Sequence, residues 1–259
     1  MKKLTIIVPY NGVPTSLEDT LVSILENRPA ESEIIVSLNA PYENHYDLQE
    51  EEVIFVQNED ASRMFETAVE TAVGRAEGSM LHIVPCGSRV KAGWADAAVR
   101  LFDDESVTCV IPLLWKMAGE DAGAVLTQGF QFSYTGDLFP VRGEMAIKTH
   151  VPHPFGVFFR RKSYVAAGGL DLTFGGTLSV VDLALRTKKN GGKIVATGDS
   201  ALSVPGEMLY PDGPEKTCRQ IKRLFWRWNF VRNPILGLRV LMAKWFSFSG
   251  KPSAIYKES

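Results

Sequence analysis

The sequence predicts an α/β protein: a mostly parallel, Rossmann-like sheet flanked by helices, with a C-terminal helical extension. Two observations carry this. Short, nearly continuous apolar runs alternate with segments of helical period along the first two hundred residues, the pattern of strands buried on both faces of a parallel sheet. A basic, aromatic-rich stretch then follows, with no strand pattern.

In chain order, Leu4-Thr-Ile-Ile-Val8 is a β-rich run that ends at Pro9. Thr15 and Glu18 form a T-x-x-E capping box, which predicts a helix through Ile24 that stops before Pro29. Glu33–Leu38 and Val53–Val56 read as the second and third strands. From Asp60 onward, Met64, Phe65, Ala68, Val69, Ala72 and Val73 recur at helical spacing, one face of an amphipathic helix. Met80–Val84 is a strand, Lys91 to Phe102 a helix through Trp94, and Val107–Ile111 a strand. Residues 113–155 lose the rhythm and read as an insertion or long loops. A strand resumes at Gly156–Arg161, a helix at Val180–Lys189 and a strand at Lys193–Thr197.

The 259 residues suit one sizeable domain with an appendage, expected as 1–213 and 214–259. Net charge is −2, but the charge is unevenly placed. Ten Lys and Arg against Glu215 and Glu258 give the last 46 residues +8, leaving −10 for the first 213. An acidic body with a basic tail implies contact between the tail and something anionic. The three cysteines, Cys86, Cys109 and Cys218, have no paired spacing, which points to a reducing, cytoplasmic setting without disulfide framework or zinc site. The apolar run after Lys2-Lys3 is too short for a secretory signal, which needs roughly 7–15 residues. No run reaches the ~18 apolar residues of a spanning helix.

The turn after the first strand, Pro9-Tyr-Asn-Gly-Val-Pro14, contains no G-x-G-x-x-G, and no G-x-x-x-x-G-K-[ST] occurs anywhere. Dinucleotide and P-loop cradles are thereby excluded. LTIIVPYNG, SLEDTLVSILEN and EIIVSLNAP together resemble the opening of the inverting family 2 glycosyltransferases of GT-A fold. Gly74-Arg-Ala-Glu-Gly78-Ser-Met-Leu is similar to that family's entry to its fourth strand. Phe158-Phe-Arg-Arg-Lys-Ser-Tyr-Val-Ala-Ala-Gly-Gly-Leu-Asp171 is similar to its R-R…G-G-F-D element, and Val181–Arg186 to the helix beyond. The resemblance spans residues 4–200 in order. It implies a nucleotide-sugar donor, a glycan or lipid-linked acceptor, and transfer of a sugar.

Where the resemblance places the family's metal-binding D-x-D, this chain has Pro85-Cys86-Gly87. Mg²⁺ and Mn²⁺ take hard oxygen ligands, and a thiol suits neither. No metal ligand is therefore assigned, and a divalent cation is doubtful. Leu38-Asn39 stands at the nucleoside-contacting acid and Ser179-Val180 at the E-D pair that carries the general base, while Asp182 survives.

On this resemblance Pro9, Tyr10, Asn11 and Asn39 hold the nucleoside, and Pro85, Cys86, Gly87 and Arg89 line the phosphate side. Phe155, Gly156, Arg160 and Arg186 face the acceptor or phosphate, the arginines by bidentate contact. Asp182, or His150 or His153 of Thr149-His-Val-Pro-His153, takes the acceptor's proton. Alternatively Asp182 stabilises its helix, the histidines sit in an exposed loop, and the protein is a nucleotide- or glycan-binding pseudoenzyme or assembly partner.

Residues 215–248 interleave cations with Phe225, Trp226, Trp228, Phe230, Trp245 and Phe246. Such segments lie on anionic membranes, which implies a peripheral position on the inner face of a membrane. The alternative is a helical pair packed on the domain or on a second copy. Nucleic acid is not expected, since no reading motif accompanies the cations.

Overall fold

The computed structural model describes residues 3–10, 12–60, 65–117, 122–132, 138–141, 152, 153, 155–174, 178–205, Leu224 and Arg227. Strand β1 (Leu4–Tyr10) is buried along its whole length. It pairs in parallel with β2 (Ser32–Leu38) on one side and β4 (Met80–Ile83) on the other, and β3 (Ile54–Gln57) adds beyond β2. Successive side chains of such a strand point to opposite faces. Ile6 and Val8 accordingly join one core and Ile7 the other, so both alternating sets must be apolar.

The first core lies under α1 (Pro14–Glu26) and α3 (Asp96–Leu101), with Leu17, Leu21, Ile24, Trp94 and Ala98 against Ile6, Val36 and Val110. The second lies under α2 (Phe65–Arg75), α4 (Arg161–Ala166) and α5 (Leu178–Lys189), with Val69, Tyr164, Val180 and Leu183 against Ile7, Ile35 and Ile111. Helices on both faces of a mainly parallel sheet are the expected class.

The full order is β10-β5-β9-β4-β1-β2-β3, with β5 (Val107–Lys116), β9 (Phe158–Arg160) and β10 (Lys193–Val204), while β6 (Val125–Thr127) pairs with β5. Within 113–155, expected as insertion or loops, residues 113–116 continue β5. The same region also carries β6 and a two-stranded ribbon, β7 (Phe130–Phe132) with β8 (Leu138–Pro140). Strand β9 runs antiparallel to both β4 and β5, so the sheet is mixed.

The capping box does not form. Helix α1 begins at Pro14, with Val13 as N-cap and no side-chain cap. Proline fits the first helical position, and starting there puts Thr15 inside the first turn. The 91–95 stretch is turn, and α3 starts only at Asp96.

Two glycines fix how strand β4 enters and leaves. A Cβ on Gly78 would lie 2.6 Å from the Thr5 nitrogen. That close approach lets the buried Glu33 carboxylate accept the Glu77 and Gly78 amides at 2.7 and 3.0 Å. Gly87, after the strand, has φ +86°, a conformation open to glycine.

Candidate active site

The chain runs outward from β1 through β2 to β3, then α2 returns it to β4 on the other side of β1. In an open α/β sheet the crevice beyond the carboxyl ends at such a reversal is where ligands bind. Here those ends are Pro9-Tyr10 and the turn Pro85–Ser88.

That turn is tied down on both sides. The Cys86 thiol donates to the Pro9 carbonyl at 3.3 Å, across the reversal itself. The Gly87 amide reaches the Ser16 carbonyl at 3.0 Å and the Thr20 hydroxyl at 2.8 Å, both on α1. Ser88 is fully buried, and its hydroxyl has no hydrogen-bond partner among the described residues. Arg89 exchanges two backbone hydrogen bonds with Ser203 of β10, at 2.8 and 2.9 Å, and its guanidinium meets Asp19 at 3.2 Å.

These residues do not fit a hard divalent cation. Pro85 and Gly87 have no side-chain oxygen, and the thiol of Cys86 points at a carbonyl. Among the described residues no group of three His, Cys, Asp or Glu side chains is placed to hold a metal.

Of the residues expected to hold the nucleoside, Tyr10 is only 1% exposed and meets the Tyr42 ring edge-on at 5.5 Å, while Tyr42 stacks on Phe55 at 5.6 Å. Tyr10 is thus enclosed by the chain's own residues, Tyr42 among them. Burial, then the nearby Cys86 and Glu18, push the Tyr10 hydroxyl's pKa up. Asn39 opens a polar row instead. Its carbonyl oxygen accepts the Asn58 amide at 2.7 Å, which also reaches Thr67 at 3.0 Å, and Thr71 donates to Asn58 at 3.3 Å. Asn58, Thr67, Thr71 and Glu70 line a cavity of about 530 Å³ on the α2 face. Asn58 and the threonines were missed from sequence, because polar residues 19 to 32 positions from Asn39 carry no local signal. Asn11 lies outside the described residues.

Asp182 is completely buried. Its carboxylate takes the Arg186 guanidinium at 2.6 Å and lies 3.8 Å from Arg227. Arg186 also holds the Ala167 and Gly169 carbonyls, and Arg227 pairs with Asp171 at 2.6 Å and covers the Phe174 ring. Asp182, placed in the second turn of α5, is therefore the hub that binds the Gly168–Gly169 turn and the C-terminal segment to the body. Ser179 and Val180 are buried beside it. Leu224 joins Phe130, Phe174, Leu178 and Val181, so the two described residues of the C-terminal segment both touch the body.

His153, expected either to take the acceptor's proton or to sit in an exposed loop, is 1% exposed. Its ring stacks near Phe130 and Phe155, and Nδ1 accepts the Phe155 amide at 3.1 Å. Burial lowers its pKa to about 3, so the imidazole is neutral. His150 lies outside the described residues. Phe155 is buried against Phe65, and the Gly156 carbonyl meets His82 Nε2 at 2.9 Å.

The expectation that Arg160 faces acceptor or phosphate is corrected. Because β9 runs antiparallel, Arg160 pairs with Met80 at the start of β4, the opposite edge from residues 85–87. There its guanidinium holds the Phe102, Asp104 and Val107 carbonyls at 2.6, 3.0 and 3.0 Å.

No protein-family model matches the chain, and no curated protein matches it by sequence. Solved structures match it by fold. GalNAc-T7 with UDP, GalNAc and Mn²⁺ superposes with a TM-score of 0.62 at 16% identity, over 86% of this chain and 47% of that one. Residues 1–349 of TarS from S. aureus give 0.59 at 14%, over 88% and 73%. The mannosyltransferase PcManGT from Pyrobaculum calidifontis, in complex with GDP-Man and Mn²⁺, gives 0.58 at 18%, over 95% and 76%. This chain spans about half the length of GalNAc-T7. The fold is that of the GT-A glycosyltransferases.

Proposed function

We propose that this chain is a glycosyltransferase that moves a sugar from a nucleotide-sugar donor to a glycan or lipid-linked acceptor, with no divalent cation at the turn after β4. One observation carries the reading. A GT-A sheet presents, at its point of reversal, a turn tied by Cys86 and Gly87 into neighbouring backbone and free of carboxylates. The UDP found in GalNAc-T7 and the GDP-Man found in PcManGT make UDP-sugars and GDP-mannose the first donors to try.

In this reading the nucleoside lies along Asn39 and Asn58, with Pro9, Tyr10 and Asn11 beside it. The diphosphate faces residues 85–87 and Arg89, which would have to leave Asp19 to reach it, and oriented donors rather than a cation offset the charge on the leaving group. The acceptor oxygen forms the new bond to the sugar, the donor's C–O bond breaks, and the proton passes to Asp182 or a histidine. Arg186 steadies Asp182 rather than touching phosphate.

A specific observation favours a second reading. Asp182, the one acid retained at its motif, is enclosed by Arg186 and Arg227. A chain so built suits a nucleotide- or glycan-binding pseudoenzyme or an assembly partner.

Calorimetric titration with UDP, GDP, TDP and their sugars, in Mn²⁺ and in EDTA, separates these. Binding that survives EDTA, with turnover, is expected. Binding only with Mn²⁺ overturns metal independence, and binding without turnover selects the second reading.

The 215–248 segment is proposed to meet an anionic membrane surface, which would set the protein on a cytoplasmic face. Among the described residues no helix is long and apolar enough to cross a membrane. Co-sedimentation with phosphatidylglycerol vesicles, with and without residues 214–259, is the check. Release on truncation is expected, whereas unchanged binding would instead leave packing on the body or on a second copy.

A further inference from the structure

On the other half of the sheet a second concavity opens, on the α1/α3 face, away from the Asn39–Asn58 row. Its volume is about 360 Å³, and it lies between the 89–94 turn and the carboxyl ends of β5 and β10. Its frame is fixed. Arg89 and Ser203 are joined by two backbone hydrogen bonds, and the Trp94 indole nitrogen donates to the Asn27 carbonyl at 3.1 Å.

Three polar groups line it without a partner among the described residues: the Lys91 ammonium, the Trp115 indole N–H and the Asp199 carboxylate. Lys91 and Asp199 are exposed, and Trp115 is half-buried. The fourth, Arg89, is engaged by Asp19.

From these we infer that this groove binds a pyranose unit of a glycan. The negative face of an indole attracts the weakly positive C–H face of a sugar ring and gives a large contact area. The polar groups are of mixed kind: two donors and one acceptor. Hydroxyls donate and accept at once, so neighbouring hydroxyls of one ring satisfy all three. A phosphate would accept from Lys91 and Trp115 but be repelled by Asp199, and with Arg89 already paired the groove carries no net positive charge. A few placed polar groups around an apolar wall are the usual makings of a small-ligand site. The inference does not rest on turnover at the point of reversal, and a pseudoenzyme would keep the groove.

The test is titration of the full chain with chitotetraose, cellotetraose and mannotetraose, read by tryptophan fluorescence and by calorimetry. One of the three is expected to bind. Trp115→Ala and Asp199→Asn should each weaken that binding by about tenfold, roughly 1.4 kcal/mol, and Trp115→Phe by less. Asp199→Asn changes an exposed side chain, so it reads the groove even if Trp115→Ala melts early. Donor affinity, measured on the same variants, should not move. No binding of any of the three, binding indifferent to both substitutions, or binding of inorganic phosphate in their place would overturn the assignment. Loss of donor affinity with Trp115→Ala in a folded sample would overturn it as a separate site.

Discussion

Tyr164 donates its hydroxyl to the Glu70 carboxylate at 2.5 Å, and the same carboxylate oxygen accepts the Leu170 amide at 2.6 Å. The contact joins α4 to α2 and fixes the Gly168–Gly169 turn that Arg186 holds from the other side. Burial, then the Glu70 charge, keeps the Tyr164 hydroxyl protonated at all ordinary pH. A hydrogen bond to a charged group contributes about 1.5–3 kcal/mol. Tyr164→Phe should lower stability by that much in urea unfolding, and an unchanged midpoint would show the contact to be without weight.

Gly78 has no room for a side chain, since an added Cβ meets the Thr5 backbone. Gly78→Ala should also pull the Glu77 and Gly78 amides from Glu33, costing about 3 kcal/mol or more. Gly74, in α2 with nothing within 4 Å of its Cβ position, is the control. Gly74→Ala should stabilise by about 0.5–1 kcal/mol. Melting temperatures that move the same way for both would contradict the packing described.

Acid should unfold the protein early, through two buried histidines. His82 lies between Trp94 and Phe158, and burial lowers its pKa to about 3 despite the hydrogen bond to Gly156, as burial does for His153. Between pH 3 and 6.5 the unfolded chain therefore binds more protons than the folded one. Stability rises with pH through that window and levels off above it, by about 1.4 kcal/mol per unit per histidine. Urea midpoints should fall as pH drops below about 6.5, and His153→Phe should flatten the slope. A midpoint constant from pH 7 to 4.5 would refute this.

Arg227 bridges two acids. Burial alone would raise the Asp171 pKa, but Thr173 and Arg227 outweigh it and hold the carboxyl at about 2. A depressed carboxylate stabilises above its unfolded value, near 3.8, and that contribution is lost as pH falls toward 2. Arg227→Ala should therefore destabilise at neutral pH by about 1–3 kcal/mol, with part of the effect gone at pH 3. An equal loss at both pH values would point to lost contact with Phe174 instead.

The positions of β1 to β5, β9 and β10 were legible in the sequence because runs such as Leu4–Val8 feed both cores and can be nothing but buried, whereas the three-residue β6, β7 and β8 were not. Helix α4 was not legible: Arg161–Ala166 is six residues with one buried side chain, Tyr164, too short to show a period. Nor was the direction of β9, since Phe158-Phe159 reads alike either way along a sheet. That ambiguity misplaced Arg160. At the candidate site the turn 85–87 was found from its order in the chain. The Asn39–Asn58 row, the enclosure of Asp182 by Arg186 and Arg227, and the burial of His153 depend on distant partners and could not be read locally.

Strand β9 is three residues long, yet among the described strands it is the one that pairs with both the block β4-β1-β2-β3 and the pair β5-β10, with the Arg89–Ser203 bridge as a further backbone link. Its partners lie about 78 positions back on β4 and about 50 back on β5. During synthesis the first block can close once residue 83 has emerged, while its open β4 edge waits for residue 160. A waiting edge is a template for the wrong strand, and pairings this distant in sequence form late. Charge or proline placed in β9 would therefore be felt first as aggregation of nascent chains, with mature stability a secondary effect.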